Sequence, residues 1–267
     1  MTTIALTSPG RDARALRPGT EEVVFIGRSL KHSLRDPEAL TMAIVLPVML
    51  MLIFTFVFGG ALDSDASYVD YVVPGIILLC AGFGASSTAV DVARDMETGI
   101  IERFRTMPIR SWAVLTGHVV ASLVRNLFAS MVVVGVALLV GFRPAATAIE
   151  WAAAFGIIAL YILAITYLYA AIGLAANSAA AASGYGFVLL FVPYLSSAFV
   201  PVDTMPAWLQ WISNNQPITP IIETIRGLLM HTTLGNAPAL ALGWCALILL
   251  VAIVWGSIMF RAKAGRR

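Results

Sequence analysis

The densest group of ionisable side chains in the sequence lies in one short polar segment. Between Asp91 and Arg105 the chain carries four carboxylates and three guanidinium groups, namely Asp91, Asp95, Glu97, Glu102, Arg94, Arg103 and Arg105. Their mixed signs suit charge-assisted hydrogen bonds to the surface of another protein. An ordinary solvated loop is the alternative, because charged residues usually face water. Gly99 permits a sharp turn between two short helical pieces, and Pro108 ends the second piece.

The sequence carries no spacing typical of a catalytic or metal site. His32, His118 and His231 are scattered, and neither H-E-x-x-H nor G-x-S-x-G occurs. Cys80 and Cys245 lie in apolar runs, which predicts buried, inert thiols rather than metal ligands. The phosphate-binding pattern G-x-x-x-x-G-K-[ST] is also absent. We therefore expect no enzyme activity and no bound cofactor or metal in this chain.

The composition indicates that these groups are positioned by membrane helices. Of 267 residues, 59% are hydrophobic and 12% are charged, with a mean hydropathy of +0.87. Soluble domains are about 45–50% apolar and about 25% charged, so a soluble enzyme and a disordered chain are excluded. A net charge of only +2 argues against binding to nucleic acid.

Long apolar runs must form helices in lipid, because every backbone polar group there needs an internal partner. About 20 apolar residues cross a bilayer. We therefore predict an all-α polytopic membrane protein, a single transmembrane domain over residues 1–267. Its six predicted spans are 39–60, 71–90, 112–140, 151–176, 181–200 and 239–260.

The distribution of lysine and arginine predicts the orientation. Fourteen of the 17 basic residues lie before the first span, between the second and third spans, or after the sixth. The positive-inside rule places that side in the cytoplasm, so we expect both termini there and the protein in the cytoplasmic membrane.

Three segments outside the spans are predicted to be helical. Residues 20–36 form an amphipathic helix at the membrane surface, with Arg28, Lys31 and Arg35 off its apolar stripe. Residues 91–110 form the charged segment described above. Residues 201–238, rich in proline and carrying Trp208 and Trp211, are predicted to form a re-entrant or surface helical hairpin on the outer face, which we call the outer hairpin.

Two features inside the spans could serve transport. Gly184, Phe187, Phe191, Tyr194 and Ala198 recur at helical spacing in span five, which predicts one aromatic face; lipid contact or helix packing is the alternative. Arg125 lies within the third apolar run. Burying a charge in the membrane is costly, so this residue is a functional candidate. Its side chain could instead reach the cytoplasmic boundary, and these two readings stay open.

The segment from Glu97 to Pro108, Glu-Thr-Gly-Ile-Ile-Glu-Arg-Phe-Arg-Thr-Met-Pro, resembles the signature that follows the second span in type-2 ABC exporter permeases. The likeness is greatest to the daunorubicin-resistance type of drug-export permease. It covers the whole chain in length, six spans, amino-terminal helix and outer hairpin. Ile100 and Ile101 depart mildly from the residues common at these positions.

The resemblance implies a transport subunit for hydrophobic or amphipathic compounds, working by alternating access. A separate ATPase subunit, expected in two copies, would bind ATP and Mg²⁺, and a second permease copy or a paralogue would complete the transporter. The coupling helix that contacts the ATPase would include Glu97, Thr98, Gly99, Glu102, Arg103, Arg105 and Pro108. Arg28, Lys31 and Arg35 would lie on the connecting helix, and Phe83, Phe187, Phe191 and Tyr194 would line the substrate path.

Two alternatives to drug export remain. One is an exporter of a lipid-linked glycan or a cell-wall polymer, which would be expected to have a roomy polar pore. The other is an ion-coupled secondary transporter, which should carry several intramembrane carboxylates. Only Asp91 and Glu150, both at span ends, approach that requirement.

Overall fold

A computed structural model describes residues 37–59, 68–98 and 111–264 of the chain. These ranges are about 85% helical and contain no strand, which confirms the predicted all-α polytopic fold. The helices are α1 (Pro37–Ile53), α2 (Tyr68–Glu97), α3 (Ser111–Val140), α4 (Ala148–Ala175), α5 (Ala179–Leu189), α6 (Ala207–Asn215), α7 (Ile218–Met230) and α8 (Ala237–Ala264). The amphipathic helix predicted at 20–36 lies outside the described residues.

Four of these helices are long and apolar enough to cross a membrane. They are α2, α3 from Thr116 onward, α4, and α8 as far as Phe260. The first and fifth predicted spans correspond to shorter apolar segments, Ala43–Phe58 and Ala179–Leu195. Each contains an irregular stretch: α1 continues as a π-helical turn over Phe54–Phe58, and α5 is followed by a 3₁₀ turn over Val192–Leu195.

Helix α2 lies at the centre of the bundle and contacts α1, α3, α4, α5 and α7. It extends beyond the predicted end at residue 90, through Glu97, because Val92 and Ala93 remain buried against neighbouring helices. Residues 91–97 of the charged segment are therefore the last two turns of the span-two helix, and not a separate short helix. Residues 99–110 lie outside the described part of the chain.

Close approach of α4 to α2 depends on Gly173. A methyl group at this position would lie 2.4 Å from the carbonyl oxygen of Ala89 and 3.0 Å from Cβ of Val92. Real Cβ atoms essentially never approach other atoms that closely, so only glycine allows the helices to cross at this distance.

The predicted fifth span is not a continuous helix. Helix α5 ends at Leu189 because Pro193 lacks an N–H and its ring would clash with the carbonyl of residue 189 in a continuing α-helix. The face predicted to run from Gly184 to Ala198 is consequently not maintained. Phe187 and Phe191 are exposed, whereas Ala198 is fully buried and packs against the backbone at Gly75 of α2.

The outer hairpin consists of α6, which is mostly exposed, and α7, which is mostly buried. Trp208 and Trp211 of α6 are 67% and 71% exposed, as expected for side chains at a membrane–water boundary. Helix α7 packs against α4, α8 and α2. It ends at His231, whose backbone is left-handed with φ 54°. The His231 ring lies 2.9 Å from the Ala145 carbonyl and 3.5 Å from the Glu150 carboxylate, which joins the hairpin to the start of α4.

Candidate coupling contact and transport path

Of the residues predicted to contact an ATPase, the structure describes Glu97 and Thr98. Both are exposed at the end of α2, where Thr98 donates a hydrogen bond to the Arg94 carbonyl. Gly99, Glu102, Arg103, Arg105 and Pro108 lie outside the described residues, as do Arg28, Lys31 and Arg35 of the predicted connecting helix.

Glu97 has a partner within its own chain. Its Oε1 accepts a hydrogen bond of 3.0 Å from the backbone N–H of Ala179, the first residue of α5. The same helix end is capped by Ser178, whose side chain accepts from the N–H of Ala181. Two otherwise unpaired N–H groups of the first turn are thus satisfied, one of them by a residue 82 positions away in sequence. Sequence spacing gives no signal for this contact.

The end of α2 is also connected to α3. The Asp95 carboxylate lies 2.9 Å from Nε2 of His118, and both side chains are partly buried. Helices α2 and α3, which precede and follow residues 99–110, are therefore joined by a polar contact near the end of α2.

Arg125 makes a second connection between α2 and α3, deeper in the bundle. Its side chain is 6% exposed and donates to the Gly84 carbonyl at 2.8 Å and to the Ser87 hydroxyl at 2.6 Å. Thr88 and Asn126 add hydrogen bonds to Ser122 in the same layer. The guanidinium is therefore directed into the α2–α3 contact, and a role for Arg125 in transport stays a prediction.

Three of the four residues predicted to line the substrate path belong to one row of aromatic rings. Phe187 and Phe191 meet edge to face with centroids 5.2 Å apart, and Phe191 lies 6.2 Å from Tyr194. Phe187, Phe191 and Tyr194 are 60%, 53% and 37% exposed. Phe83 is not part of this row, since it is half-buried on α2 against the main core.

The aromatic row continues beyond the predicted residues. Tyr194 stacks on Phe199 at 5.2 Å, and Phe199 stacks on Phe54 of the π-helical turn at 4.3 Å. The break after α5 allows this arrangement, because the chain turns back at Pro193 and brings Phe199 beside Tyr194. Helical spacing in span five could not indicate Phe199, which lies beyond the break, or Phe54, which lies in the first predicted span.

Phe199 also lines a cavity of about 510 Å³ beneath the outer hairpin. Tyr68 and Tyr71 contribute further rings, and Asp70 and Arg226 contribute the charged groups. A volume of this size falls within the range of about 300–1,000 Å³ common for small-molecule sites. The aromatic row therefore connects the exposed face of α5 to a cavity large enough for a small organic molecule.

Arg226 holds the walls of this cavity together. Its guanidinium lies 3.8 Å from the centre of the Tyr71 ring and donates to the carbonyls of Tyr71 and Ser197 at 3.0 and 2.8 Å. Burial lowers the pKa of the Arg226 guanidinium, and the neighbouring Tyr71 and Glu223 oppose that shift.

Comparison with known proteins gives the family. Residues 21–230 match the family model described as ABC-2 type transporter. The chain belongs to this family. Within this family, the chain is 29% identical over 232 residues to a daunorubicin resistance ABC transporter permease protein of Streptomyces coeruleorubidus. The aligned region covers 86% of this chain and 81% of the relative.

Two further relatives carry similar names. A probable doxorubicin resistance ABC transporter permease protein of Mycobacterium tuberculosis is 25% identical over 255 residues. The aligned region covers 95% of this chain and 92% of that relative. A probable multidrug ABC transporter permease of Escherichia coli is 26% identical over 172 residues, 61% of this chain and 45% of its own. Family membership confirms the predicted type-2 ABC permease: the chain is a multi-pass transport subunit and not an enzyme, and it works with an ABC ATPase on a separate subunit in a dimeric permease.

Proposed function

We propose that this ABC-2 permease exports hydrophobic or amphipathic compounds, with drugs, antibiotics and lipids as the substrate class. In the proposed transporter, two permease chains, either identical or paralogous, assemble with two ATPase subunits. ATP and Mg²⁺ are bound by those ATPase subunits. The transporter lies in the cytoplasmic membrane with both termini of this chain in the cytoplasm, in keeping with the basic residues at 11–35 and 261–267.

The aromatic row is the observation that carries the proposed substrate class. Phe187 and Phe191 are exposed, so a compound in the membrane interior or in a cavity between two permeases can reach them. Aromatic rings offer large apolar surfaces and stack on planar compounds without requiring a fixed pattern of hydrogen bonds. The row passes through Phe199, which lines the cavity beneath the outer hairpin, and this cavity supplies a destination on the outer side.

The alternative substrates receive less support. The exposed part of the proposed path, from Phe187 to Tyr194, consists of rings rather than of the polar groups that a glycan would require. The names of the three relatives refer to drug resistance and multidrug transport, not to polymer export or ion coupling.

The proposed coupling to the ATPase involves the exposed end of α2 and the segment that follows it. Thr98 lies at that end, and Gly99, Glu102, Arg103, Arg105 and Pro108 come directly after it in sequence. Arg28, Lys31 and Arg35 would provide a second contact from the connecting helix. Because α2 runs without interruption from Tyr68 to Glu97, a displacement at this end can be transmitted along the centre of the bundle.

Reconstitution tests the proposal. The permease is co-expressed with its ATPase, purified and inserted into liposomes, and uptake of daunorubicin, doxorubicin and a fluorescent phospholipid into inside-out vesicles is measured with and without ATP. We expect ATP-dependent transport of at least one of these compounds and its loss in Glu102→Arg. Absence of a co-purifying ATPase, or unchanged transport in Glu102→Arg, would overturn the proposed mode of coupling. Failure of all three compounds would overturn the substrate class.

A further inference from the structure

The contact between Glu97 and Ala179 suggests a specific route from the ATPase to the aromatic row. We propose that Glu97 is a positioning residue that holds the start of α5 to the end of α2. Displacement of the predicted coupling segment, residues 99–110, would then move α5. This inference rests on the proposed function. It also assigns Glu97 a role inside the permease, in place of the direct ATPase contact that the sequence suggested.

The electrostatics of the two helix ends favour this arrangement. Glu97 occupies the last turn of α2, where the helix dipole is negative and an acidic side chain is disfavoured. Its carboxylate instead lies at the start of α5, where the dipole is positive and free N–H groups need acceptors. The carboxylate is therefore better stabilised at the start of α5 than at the end of its own helix.

The surrounding contacts determine what such a contact can move. Helix α3 is fixed to α2 by Arg125 and by the pair of Asp95 and His118, so the two helices that flank the coupling segment form one unit. Helix α5 has only 11 residues, and Glu97 attaches its first one to that unit. Phe187 lies eight residues further along α5, a rise of about 12 Å. If α2 and α3 tilt together, the short helix α5 therefore transmits that tilt to the aromatic row.

Two variants remove the contact from opposite sides. Glu97→Ala deletes the acceptor. Ala179→Pro deletes the donor N–H at the first helical position, where proline is well tolerated. The preceding Ser178 already has the extended backbone that proline requires, with φ −156° and ψ 158°.

The structure also offers a matched control. Ala148→Pro places the same substitution at the first position of α4, after Thr147 with a similarly extended backbone, and away from Glu97. Glu97→Gln is a conservative variant, because its amide oxygen can still accept the N–H of Ala179.

The first measurement concerns the contact itself and needs no transport. Spin labels are placed on Arg94→Cys and Ala180→Cys, both exposed, in the full chain in lipid nanodiscs, while native Cys80 and Cys245 are fully buried. We expect one narrow distance distribution in the parent protein and in Ala148→Pro, and a broader one in Glu97→Ala and Ala179→Pro. An unchanged distribution in both contact variants would overturn the proposal.

The second measurement uses the reconstituted complex with daunorubicin and compares compound moved per ATP hydrolysed. We expect Glu97→Ala and Ala179→Pro each to lower this ratio about two- to fivefold, the range that corresponds to a carboxylate at a helix N-terminus. The double variant should be no worse than either single one, Glu97→Gln should retain most of the ratio, and the amount of bound ATPase should stay constant.

The outcomes separate the competing explanations. If Glu97→Ala reduces the bound ATPase while Ala179→Pro has no effect, Glu97 is an ATPase contact and the proposal is wrong. If the label distances broaden but transport per ATP is unchanged, the contact is structural only and the proposal is again wrong. If the parent complex moves no daunorubicin, that substrate fails, and the label distances still decide whether Glu97 positions α5.

Discussion

Replacing Gly173 by alanine should destabilise the bundle at the close crossing of α2 and α4. The added methyl group would lie 2.4 Å from the Ala89 carbonyl oxygen, whereas ordinary contacts begin at 3.4 Å. The shortfall is about 1 Å, and the obstructing atom belongs to the backbone of α2, so a side-chain rotation cannot relieve it. Helices α2 and α4 must move apart, and the layer formed by Val92, Ala170 and Leu174 must open with them.

The expected magnitude follows from two opposing effects. Overpacking of a well-packed core costs about 1–3 kcal/mol, and contact with backbone favours the upper end of that range. Alanine is better than glycine inside a helix by about 1 kcal/mol, which offsets part of the cost. We therefore expect Gly173→Ala to lower the free energy of unfolding by about 2 kcal/mol.

Gly156→Ala provides the matched control in the same helix. A Cβ at Gly156 meets nothing within 4 Å, so only the propensity gain remains and the variant should be as stable as the parent or up to about 1 kcal/mol more stable. The assay is SDS-induced unfolding in mixed lipid–detergent micelles, followed by circular dichroism. The packing argument fails if Gly173→Ala is as stable as Gly156→Ala, because the two differ chiefly in the proximity of α2.

Three further substitutions test the aromatic row, the cavity wall and the start of α4. Phe191→Ala should lower ATP-dependent export several-fold without changing the amount of bound ATPase, whereas Val188→Ala, also exposed but outside the row, should leave export unchanged. Arg226→Met should destabilise the protein by about 2–4 kcal/mol in thermal unfolding, because two charged hydrogen bonds and a cation–π contact are lost; an unchanged midpoint would contradict this. Thr147→Val should cost about 1 kcal/mol by removing the capping box with Glu150, visible as faster hydrogen exchange in the first turn of α4 and absent if the cap is unimportant.

Apolar length predicted the long helices well. The predicted spans 112–140, 151–176 and 239–260 differ from the ends of α3, α4 and α8 by at most four residues. Lipid leaves an apolar run no other structure than a helix, so hydropathy alone determines these elements. The start of α4 also has a local signal, since threonine at 147 and glutamate at 150 match the capping-box pattern.

Hydropathy could not predict the division of span five. Residues 181–200 are predominantly apolar, and an apolar run has the same hydropathy whether or not its helix is broken. Pro193 was the available signal, and its effect depended on whether nearby contacts could replace the lost helix. They do so here: Gln216 donates to the Leu195 carbonyl, and Tyr68 donates to the Phe199 carbonyl. Those partners are distant in sequence and could not be derived from local pattern.

The contacts of the charged side chains were the least predictable part of the site, because their partners lie on other helices. Glu97 was predicted as part of the coupling helix, but its hydrogen bond to the N-terminus of α5 could not be derived from the sequence. Arg125 could be identified as an intramembrane charge, but its acceptors on α2 depend on the register between α2 and α3.

Together these contacts attach the α5 segment to α2 at both of its ends. At one end Glu97 of α2 accepts from the first N–H of α5; at the other, Arg226 of α7 joins the carbonyls of Tyr71 in α2 and Ser197 after α5. Between these two points lie the exposed rings of Phe187, Phe191 and Tyr194, which contact one another, and the Tyr169 hydroxyl of α4 donates to the Gly186 carbonyl beside them. Both polar contacts involve a charged group and are stronger than ordinary hydrogen bonds, whereas aromatic pairs accept more than one mutual geometry. Motion of α2 should therefore carry both ends of the α5 segment with it, and the strain should be taken up in the aromatic row between them.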